Sequence, residues 1–396
     1  MNGIFLLIFL FSKASSAADF DEDAFYKSRC EPKCIFNESE ASSQTAGSFP
    51  TTCTTVCADF SIGGKSNLTE QQLTTMFQNM KHLVGGLLIY RTKYTSAKFL
   101  AGLETVECGR SDFVISYNMK LTELGLTNLT SLSCSEISFS SNEEIKNLNM
   151  PHLKTITRSA SAEVNDTEVH IRIDGGTYGF CISTVEMLAF LSADDVDLER
   201  LEGKLCEPPV QPIVGKQCNA SISEDTPTDL QDGCTQYFGK LVITPENVKD
   251  VSKLNSVETI FGPLIIQKTN LTTIDFLGSL KYMTTLGFPY PAMLIQNNPY
   301  LSNFSFPSFK HFKNGEFPYS VVFENNSQEL VLDPSYCYYF SDRFGSKSWQ
   351  VPRFDGKSCL TLQMEANMRP AYRSAMPWIG MKFWTIFVSV SLVSQL

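Results

Sequence analysis

The residues of this 396-residue chain with the most evident chemistry are twelve cysteines. Cys30, Cys34, Cys53 and Cys57 form two close pairs, and four thiolates so placed could bind zinc. Zinc fingers prefer two or four intervening residues and no histidine is near, so the spacing favours disulfides. The other eight cysteines keep the total even and are also expected in disulfides: Cys108, Cys134, Cys181, Cys206, Cys218, Cys234, Cys337 and Cys359.

Catalytic and nucleic-acid-binding signatures are missing from the sequence. It has no Gly-x-Ser-x-Gly, His-Glu-x-x-His or Walker motif. Its four histidines, His82, His152, His170 and His311, show no ligand spacing and are interpreted as ordinary surface or hydrogen-bonded residues. With 42 acidic against 32 basic residues, the chain lacks the basic surface that phosphates require. We therefore expect no enzyme, no cofactor, no metal site and no nucleic-acid partner.

The N-terminus and the glycosylation motifs predict export. Ile4 to Phe11 is an apolar run, and Ser15 and Ala17 are the small residues that a signal peptidase requires, so residues 1–17 are predicted to be a signal peptide. An exported, oxidising location also fits the cysteines. Eight Asn-x-Ser/Thr sequons are expected to carry glycans: Asn37, Asn67, Asn128, Asn165, Asn219, Asn270, Asn303 and Asn325.

The C-terminus suggests attachment to a membrane. After a tail at 360–375, residues 376–396 are largely apolar, and Ser374 and Ala375 are small residues upstream of the run from Phe383 to Leu396. This is the outline of a glycolipid-anchor signal. A tail-end membrane helix and a plain apolar tail remain alternatives, because the run is short for a membrane span.

The elements that position these residues occur twice. A shift of 177 positions, from 87 to 264, superimposes one apolar pattern on another, and a shift of 180, from 115 to 295, does the same for Ile-x-x-Asn-x-x-Leu. The repeat predicts two copies of one domain, at 57–206 and 218–359. A cysteine-containing lead-in at 18–56 precedes them, and a proline-rich linker at 207–217 joins them.

Each copy is itself a repeat of about 25 residues, with a short strand, a polar turn and a Leu-bearing return leg. A strand that recurs without a hairpin must stack parallel on its predecessor, so each copy is predicted to be a parallel β-solenoid. An amphipathic helix is predicted after Asn67, with apolar residues reaching to Leu83. Helical caps are predicted within Cys181–Cys206 and Cys337–Cys359. The predicted strands are 87–90, 113–117, 137–140, 169–173, 240–243, 264–267, 293–296 and 321–324.

The patterns Gly-x-Leu-x-Ile, Phe-Leu-x-x-Leu and Ile-x-x-Asn-x-x-Leu resemble the receptor L-domain of the insulin and epidermal growth factor receptors. The doubled, kinase-free form is similar to the nematode insulin/EGF-receptor L-domain proteins. This resemblance implies a short right-handed β-helix capped by helices, which binds peptide hormones or growth factors on a broad sheet face. The sequence departs from the receptors in three respects: it lacks a cysteine-rich module between the copies, a kinase, and a membrane helix with a cytoplasmic tail.

Strand alternation predicts which residues form a binding face. If Leu87, Ile89 and Ile115 point inward, their neighbours form a continuous outer surface: Leu88, Tyr90, Val114, Ser116, Ser138, His170 and Arg172. The matching second-copy set is Ile265, Gln267, Leu294, Gln296, Val322 and Glu324. We expect a noncatalytic extracellular decoy or co-receptor that binds a secreted insulin-like or growth-factor-like peptide, or a receptor ectodomain. The alternative is a glycolipid-anchored structural glycoprotein without a soluble ligand.

Overall fold

The computed structural model describes residues 20–161, 167–174, 179–193, 195–206, 215–218, 231–315, 317–341 and 351–369. The chain divides into two compact units, Met1–Ile213 and Val214–Leu396, each considered by itself below. Several sequence predictions lie outside the described residues: the signal peptide, linker residues 207–214, the segment 376–396 and the sequons at Asn165 and Asn219.

The first unit is a parallel β-solenoid. Its two main sheets have the orders β1-β3-β5-β7-β9 and β12-β10-β8-β6-β4-β2, the second here called the broad sheet, and a small third sheet pairs β11 with β13. Successive strands within each sheet pair in parallel, one rung above the other. The strands are β1 Thr55–Cys57, β2 Phe60–Gly63, β3 His82–Val84, β4 Leu87–Tyr90, β5 Thr105–Glu107, β6 Phe113–Ser116, β7 Ser131–Ser133, β8 Glu136–Phe139, β9 Thr155–Thr157, β10 Val169–Ile173, β11 Cys181–Ile182, β12 Val196–Asp197 and β13 Lys204–Leu205.

The second unit repeats this architecture. Its two main sheets have the orders β14-β15-β17-β20-β23 and β16-β18-β21-β24-β25, the latter corresponding to the broad sheet, and a small third sheet pairs β19 with β22. The strand pairs are parallel. The fold predicted from the repeat is confirmed. The strands are β14 Gln217–Cys218, β15 Gln236–Phe238, β16 Leu241–Ile243, β17 Thr259–Phe261, β18 Leu264–Gln267, β19 Thr273–Ile274, β20 Tyr282–Thr284, β21 Met293–Gln296, β22 Asn303–Phe304, β23 His311–Lys313, β24 Val321–Glu324 and β25 Arg353–Phe354.

Short helices close the ends of the solenoids or connect their rungs. The α-helices are α1 Glu22–Lys27, α2 Glu70–Phe77, α3 Thr184–Ser192, α4 Glu329–Leu332, α5 Ser335–Ser341 and α6 Cys359–Met368. The 3-10 helices are Pro32–Cys34, Ala46–Ser48, Lys98–Leu100 and Val248–Leu254. The amphipathic helix predicted after Asn67 is α2, which begins with a capping box between Thr69 and Gln72. It is shorter than predicted, because Leu83 belongs to strand β3.

The lead-in forms the N-terminal end of the first unit. Ile35 and Glu40 make isolated parallel bridges to β1 and β2, which adds a partial rung. Phe36 and Phe49 pack against one another with ring centroids 5.2 Å apart, and Phe49 continues the stack to Phe77 at 5.1 Å. These aromatic rings cover apolar side chains that the first rung would otherwise expose to water.

All twelve cysteines are paired in six disulfides, so the four cysteines of the lead-in do not form a thiolate zinc site. Cys108–Cys134 joins adjacent rungs of the first unit. Cys181–Cys206 encloses helix α3 at the end of the first unit, as the cap prediction required. The prediction of a helical cap within Cys337–Cys359 was wrong in detail, because this disulfide joins α5, which begins at Ser335, to the first residue of α6, and strand β25 lies between the two cysteines. The pairs are Cys30–Cys57, Cys34–Cys53, Cys108–Cys134, Cys181–Cys206, Cys218–Cys234 and Cys337–Cys359.

The asparagine of the repeated Ile-x-x-Asn-x-x-Leu motif is a structural residue. Asn118 is fully buried, and its side-chain oxygen accepts hydrogen bonds from the Thr92 amide and hydroxyl. Its amide group donates to the Ile89 carbonyl and to Oδ1 of Asn142 in the next rung. We call these buried asparagine side chains, hydrogen-bonded from one rung to the next, the ladder. Asn298 makes the same bonds to Thr269, Ile266 and Asn326 in the second unit. The ladder satisfies backbone groups where each strand turns inside the solenoid.

Candidate ligand-binding face

Alternation along the strands of the broad sheet follows the prediction. The inward residues are buried: Leu87, Ile89, Ile115, Ile137, Ile171 and Ile173. On the outer side, Leu88, Val114, Ser138 and Arg172 lie side by side on successive strands. The parallel pairing therefore assembles the predicted residues into one surface, which we call the ligand face.

The seven predicted residues differ in how much surface they offer. Leu88 is 39% exposed, and Tyr90, Val114, His170 and Arg172 are half-buried. Ser116 and Ser138 point outward but are only 6% and 4% exposed. Their small side chains lie beside larger neighbours, since Ser116 adjoins Tyr90 and Ser138 lies between Val114 and Arg172. The exposed surface of the face therefore comes from the other five residues and not from the two serines.

One end of the face is aromatic and cationic. The Arg91 guanidinium lies 4.9 Å from the centroid of the Tyr90 ring and 5.9 Å from that of Tyr117. Both distances fit cation–π attraction. Tyr117 and Met119 are about half exposed, at 51% and 48%. We call Tyr90, Arg91, Tyr117 and Met119 the aromatic edge of the ligand face.

The sequence prediction missed Arg91, Tyr117 and Met119 because simple alternation stops where the strands end. Arg91 and Tyr117 adopt left-handed backbone conformations, with φ of 52° and 57°. This conformation ends the extended pattern, so period-2 alternation no longer determines which side a residue occupies. The sequence nevertheless contained a signal that could have located these two residues. Tyr117 immediately precedes Asn118 of the repeated Ile-x-x-Asn-x-x-Leu motif, and Arg91 immediately precedes Thr92, the hydrogen-bond partner of Asn118.

The other end of the face is polar. Arg172 forms an ion pair with Glu136 on the neighbouring strand at 3.3 Å. His170 Nδ1 lies 3.0 Å from Asp197 Oδ2 on β12. Glu168, His170 and Asp197 present ligand-type atoms that all lie within 4.8 Å of one another. Histidine spacing could not reveal this group, because Asp197 is 27 residues beyond His170.

The corresponding surface of the second unit has different chemistry. The equivalents of Tyr90, Arg91 and Tyr117, by the shifts of 177 and 180, are Gln267, Lys268 and Asn297. Gln296 donates a hydrogen bond to Gln267 Oε1 at 3.0 Å. Ile265 and Val322, which were predicted to point outward, are each only 6% exposed. This surface offers amides where the first unit offers aromatic rings.

The six sequon asparagines within the described residues are all exposed: Asn37, Asn67, Asn128, Asn270, Asn303 and Asn325. Asn325 lies directly after β24, where its amide nitrogen Nδ2 is 3.3 Å from Asn297 Oδ1. Asn270 follows β18 by three positions. Lys93 is the equivalent of Asn270 by the shift of 177. Ser141 is the equivalent of Asn325, because the two residues directly precede Asn142 and Asn326, which accept the matching hydrogen bonds from Asn118 and Asn298. Neither Lys93 nor Ser141 belongs to a sequon.

Comparison with protein families agrees with this geometry. The sequence model of the receptor L domain family matches residues 52–155 and 233–342, one region in each unit. The chain belongs to the receptor L domain family. Receptor L domains bind ligands or mediate receptor interactions, are generally noncatalytic and, like disulfide-rich chains, are typical of extracellular proteins. No curated protein matches the chain. Among the described residues, no helix has both the length and the apolar character needed to cross a membrane.

Proposed function

We propose that this receptor L domain protein is a noncatalytic extracellular binding protein whose first unit holds its partner on the ligand face. The partner is a secreted insulin-like or growth-factor-like peptide, or a receptor ectodomain, and the chain acts as a decoy or co-receptor. The observation that carries the proposal is the aromatic edge, where Arg91 lies between two tyrosines beside the exposed Leu88.

The composition of this edge supports binding. Tyrosine and arginine are enriched among the residues that dominate interface energetics, because their large side chains combine apolar area with hydrogen-bonding groups. Leu88 and Val114 extend the aromatic edge into an apolar centre, and the Glu136–Arg172 pair provides a polar rim. An apolar centre with a polar rim is the usual anatomy of a protein–protein interface.

Glycosylation supports the first unit over the second as the binding unit. Glycans on Asn270 and Asn325 would cover the end of the second unit's sheet that corresponds to the aromatic edge. We further propose export by the signal peptide at 1–17, cleavage after it, and glycans at the exposed sequons. The boundaries 57–206 and 218–359 and the anchor signal at 376–396 belong to the same proposal. Mass spectrometry of the mature protein tests the cleavage at the N-terminus, the glycans and the anchor.

A binding screen with matched variants tests the function. Purified full chain, immobilised on a sensor surface, is exposed to a panel of insulin-like and growth-factor-like peptides and receptor ectodomains. We expect saturable binding of at least one of them. Tyr90→Ala should weaken it about 10-fold or more, because the ring supplies contact area at the interface. Gln267→Ala, at the equivalent position of the second unit, should leave it unchanged.

The proposal fails if no panel member binds, if Tyr90→Ala binds like the unaltered chain, or if Gln267→Ala weakens binding as much as Tyr90→Ala does. The second candidate, a tethered structural glycoprotein, is favoured by the exposure of all six described sequons. It predicts no saturable partner in the same screen. Release from the cell surface by a phosphatidylinositol-specific phospholipase would show a glycolipid tether under either function.

A further inference from the structure

We propose that Glu168, His170 and Asp197 form a zinc-binding site at the polar end of the ligand face. The structure brings together one imidazole and two carboxylates from adjacent rungs, with the candidate ligand atoms within 4.8 Å of one another. This inference concerns the metal alone and does not depend on the peptide partner.

Parallel pairing places the three side chains together. His170 lies in β10 and is the Cα partner of Asp197 in β12. Glu168 lies directly ahead of β10, and its carboxylate is within 4.8 Å of the candidate ligand atoms of His170 and Asp197. The convergence therefore rests on strand register, which the solenoid fixes on both sides of β10.

The separations suit a single ion. Two ligand atoms bound about 2.0–2.1 Å from a tetrahedral zinc lie about 3.3 Å apart. His170 Nδ1 and Asp197 Oδ2 are 3.0 Å apart, so little movement is needed to place zinc between them. The zinc would take the place of the proton that these two atoms share in the hydrogen bond.

Neighbouring contacts orient the ligands. Asp197 Oδ1 accepts a hydrogen bond from the Glu199 amide at 2.9 Å, which leaves Oδ2 directed to His170. Such secondary contacts commonly fix ligands to a metal. Arg172 is the nearby cation, and its ion pair with Glu136 offsets its charge.

The donor set favours zinc over calcium or magnesium. Imidazole suits zinc and other late transition metals, whereas calcium and magnesium prefer oxygen ligands alone. Three protein ligands leave a fourth position, which a partner's side chain or water could occupy. The cysteines do not compete for the ion, because all twelve are in disulfides.

Isothermal titration of zinc chloride into chelator-treated full chain, purified without a polyhistidine tag, tests the site. We expect one equivalent of zinc to bind saturably, and calcium to give no binding at the same concentration. His170→Gln and Glu168→Gln should each weaken zinc binding about 10-fold or more. The matched control is His82→Gln, because His82 is also a half-buried strand histidine but its Nδ1 contacts the Thr105 hydroxyl at 2.9 Å. That variant should bind zinc normally.

Circular dichroism verifies that each variant is folded. If His170→Gln does not fold, Glu168→Gln still tests the site, because residue 168 lies ahead of the strand. The proposal is overturned if zinc fails to saturate, if both ligand variants bind like the unaltered chain, or if His82→Gln loses binding to the same extent.

Discussion

The two units share their interior and differ on their outer surface. Asn118 and Asn298 make matching hydrogen bonds, and the apolar residues one rung apart occupy equivalent registers. The aromatic edge of the first unit has no counterpart at Gln267, Lys268 and Asn297. The solenoid therefore constrains the inward residues and the ladder, whereas the outer positions can vary between the two units.

A surface ion pair shows the same rule. Lys81 pairs with Glu104 at 2.8 Å in the first unit. At the equivalent positions of the second unit the charges are exchanged, and Glu258 pairs with Lys281 at 2.9 Å. At this position, either of two adjacent rungs can carry the lysine and the other the glutamate. The ion pair between the rungs is therefore present in both units, although the residue types are exchanged.

The largest effect is expected from copying a glycan from the second unit to the first. Ser141 and Glu143 correspond to Asn325 and Ser327, and the double change Ser141→Asn with Glu143→Ser creates the same sequon. Asparagine tolerates the positive φ of 53° at Ser141. The glycan would lie next to Tyr117, since the Tyr117 amide bonds to the carbonyl of residue 140. We expect partner binding to be lost, measured on the same sensor surface.

Two controls accompany the glycan experiment. Ser141→Asn alone and Glu143→Ser alone create no sequon and should bind normally, and the mass of the double variant verifies that the glycan is attached. Retained binding by the glycosylated, folded double variant would place the partner elsewhere.

The second prediction concerns the shared interior. Asn118→Ala and Asn298→Ala should each destabilise their unit by about 3 kcal/mol, because several buried backbone and side-chain groups lose their partners. Denaturant unfolding measures the loss. Asn79→Ala removes a single exposed bond to the Thr51 carbonyl and should cost about 0.5 kcal/mol. If the three variants lose similar amounts, the ladder does not stabilise the rungs.

The smallest effect is expected from exchanging charges in the surface pair. Lys81→Glu with Glu104→Lys copies the order of the second unit and should leave the thermal midpoint within about 1 °C of the original. Lys81→Glu alone places two carboxylates together and should lower the midpoint slightly. The hydrogen bond from Lys81 lowers the pKa of Glu104 below its ordinary 4.5. The pair's contribution to the stability of the fold is therefore fully present above pH 4.5 and is lost as the pH falls through the lowered pKa of Glu104. A double variant less stable than the single one would contradict the comparison.

The sequence predicted four of the six strands of the broad sheet, because each of these four has four or five residues and a period-2 pattern, whereas β2 and the two-residue β12 were not assigned. Strand β4 occurs at Leu87–Tyr90 as predicted, and β10 at Val169–Ile173. The return-leg sheet was not assigned, because strands such as β5 and β7 have only three residues and a single buried side chain each. Such short segments do not show a pattern that can be separated from a loop.

The candidate site was predicted only in part, for two physical reasons. Backbone turns place Arg91 and Tyr117 outside the alternating pattern. Contacts between rungs join residues that lie about one repeat apart, as His170 and Asp197 do, and sequence spacing does not give their register. Leu88 and Tyr90 could be assigned because they lie within a regular strand.

Oxidative footprinting tests the central claim most directly. Hydroxyl radicals oxidise exposed tyrosine and methionine side chains, and Tyr117, Met119 and Tyr300 are 51%, 48% and 65% exposed. With the partner selected in the binding screen present, oxidation of Tyr117 and Met119 in the first unit should fall markedly, and oxidation of Tyr300 in the second should not change. Protection of Tyr300 with unchanged oxidation of Tyr117 and Met119 would contradict the assignment of the ligand face to the first unit.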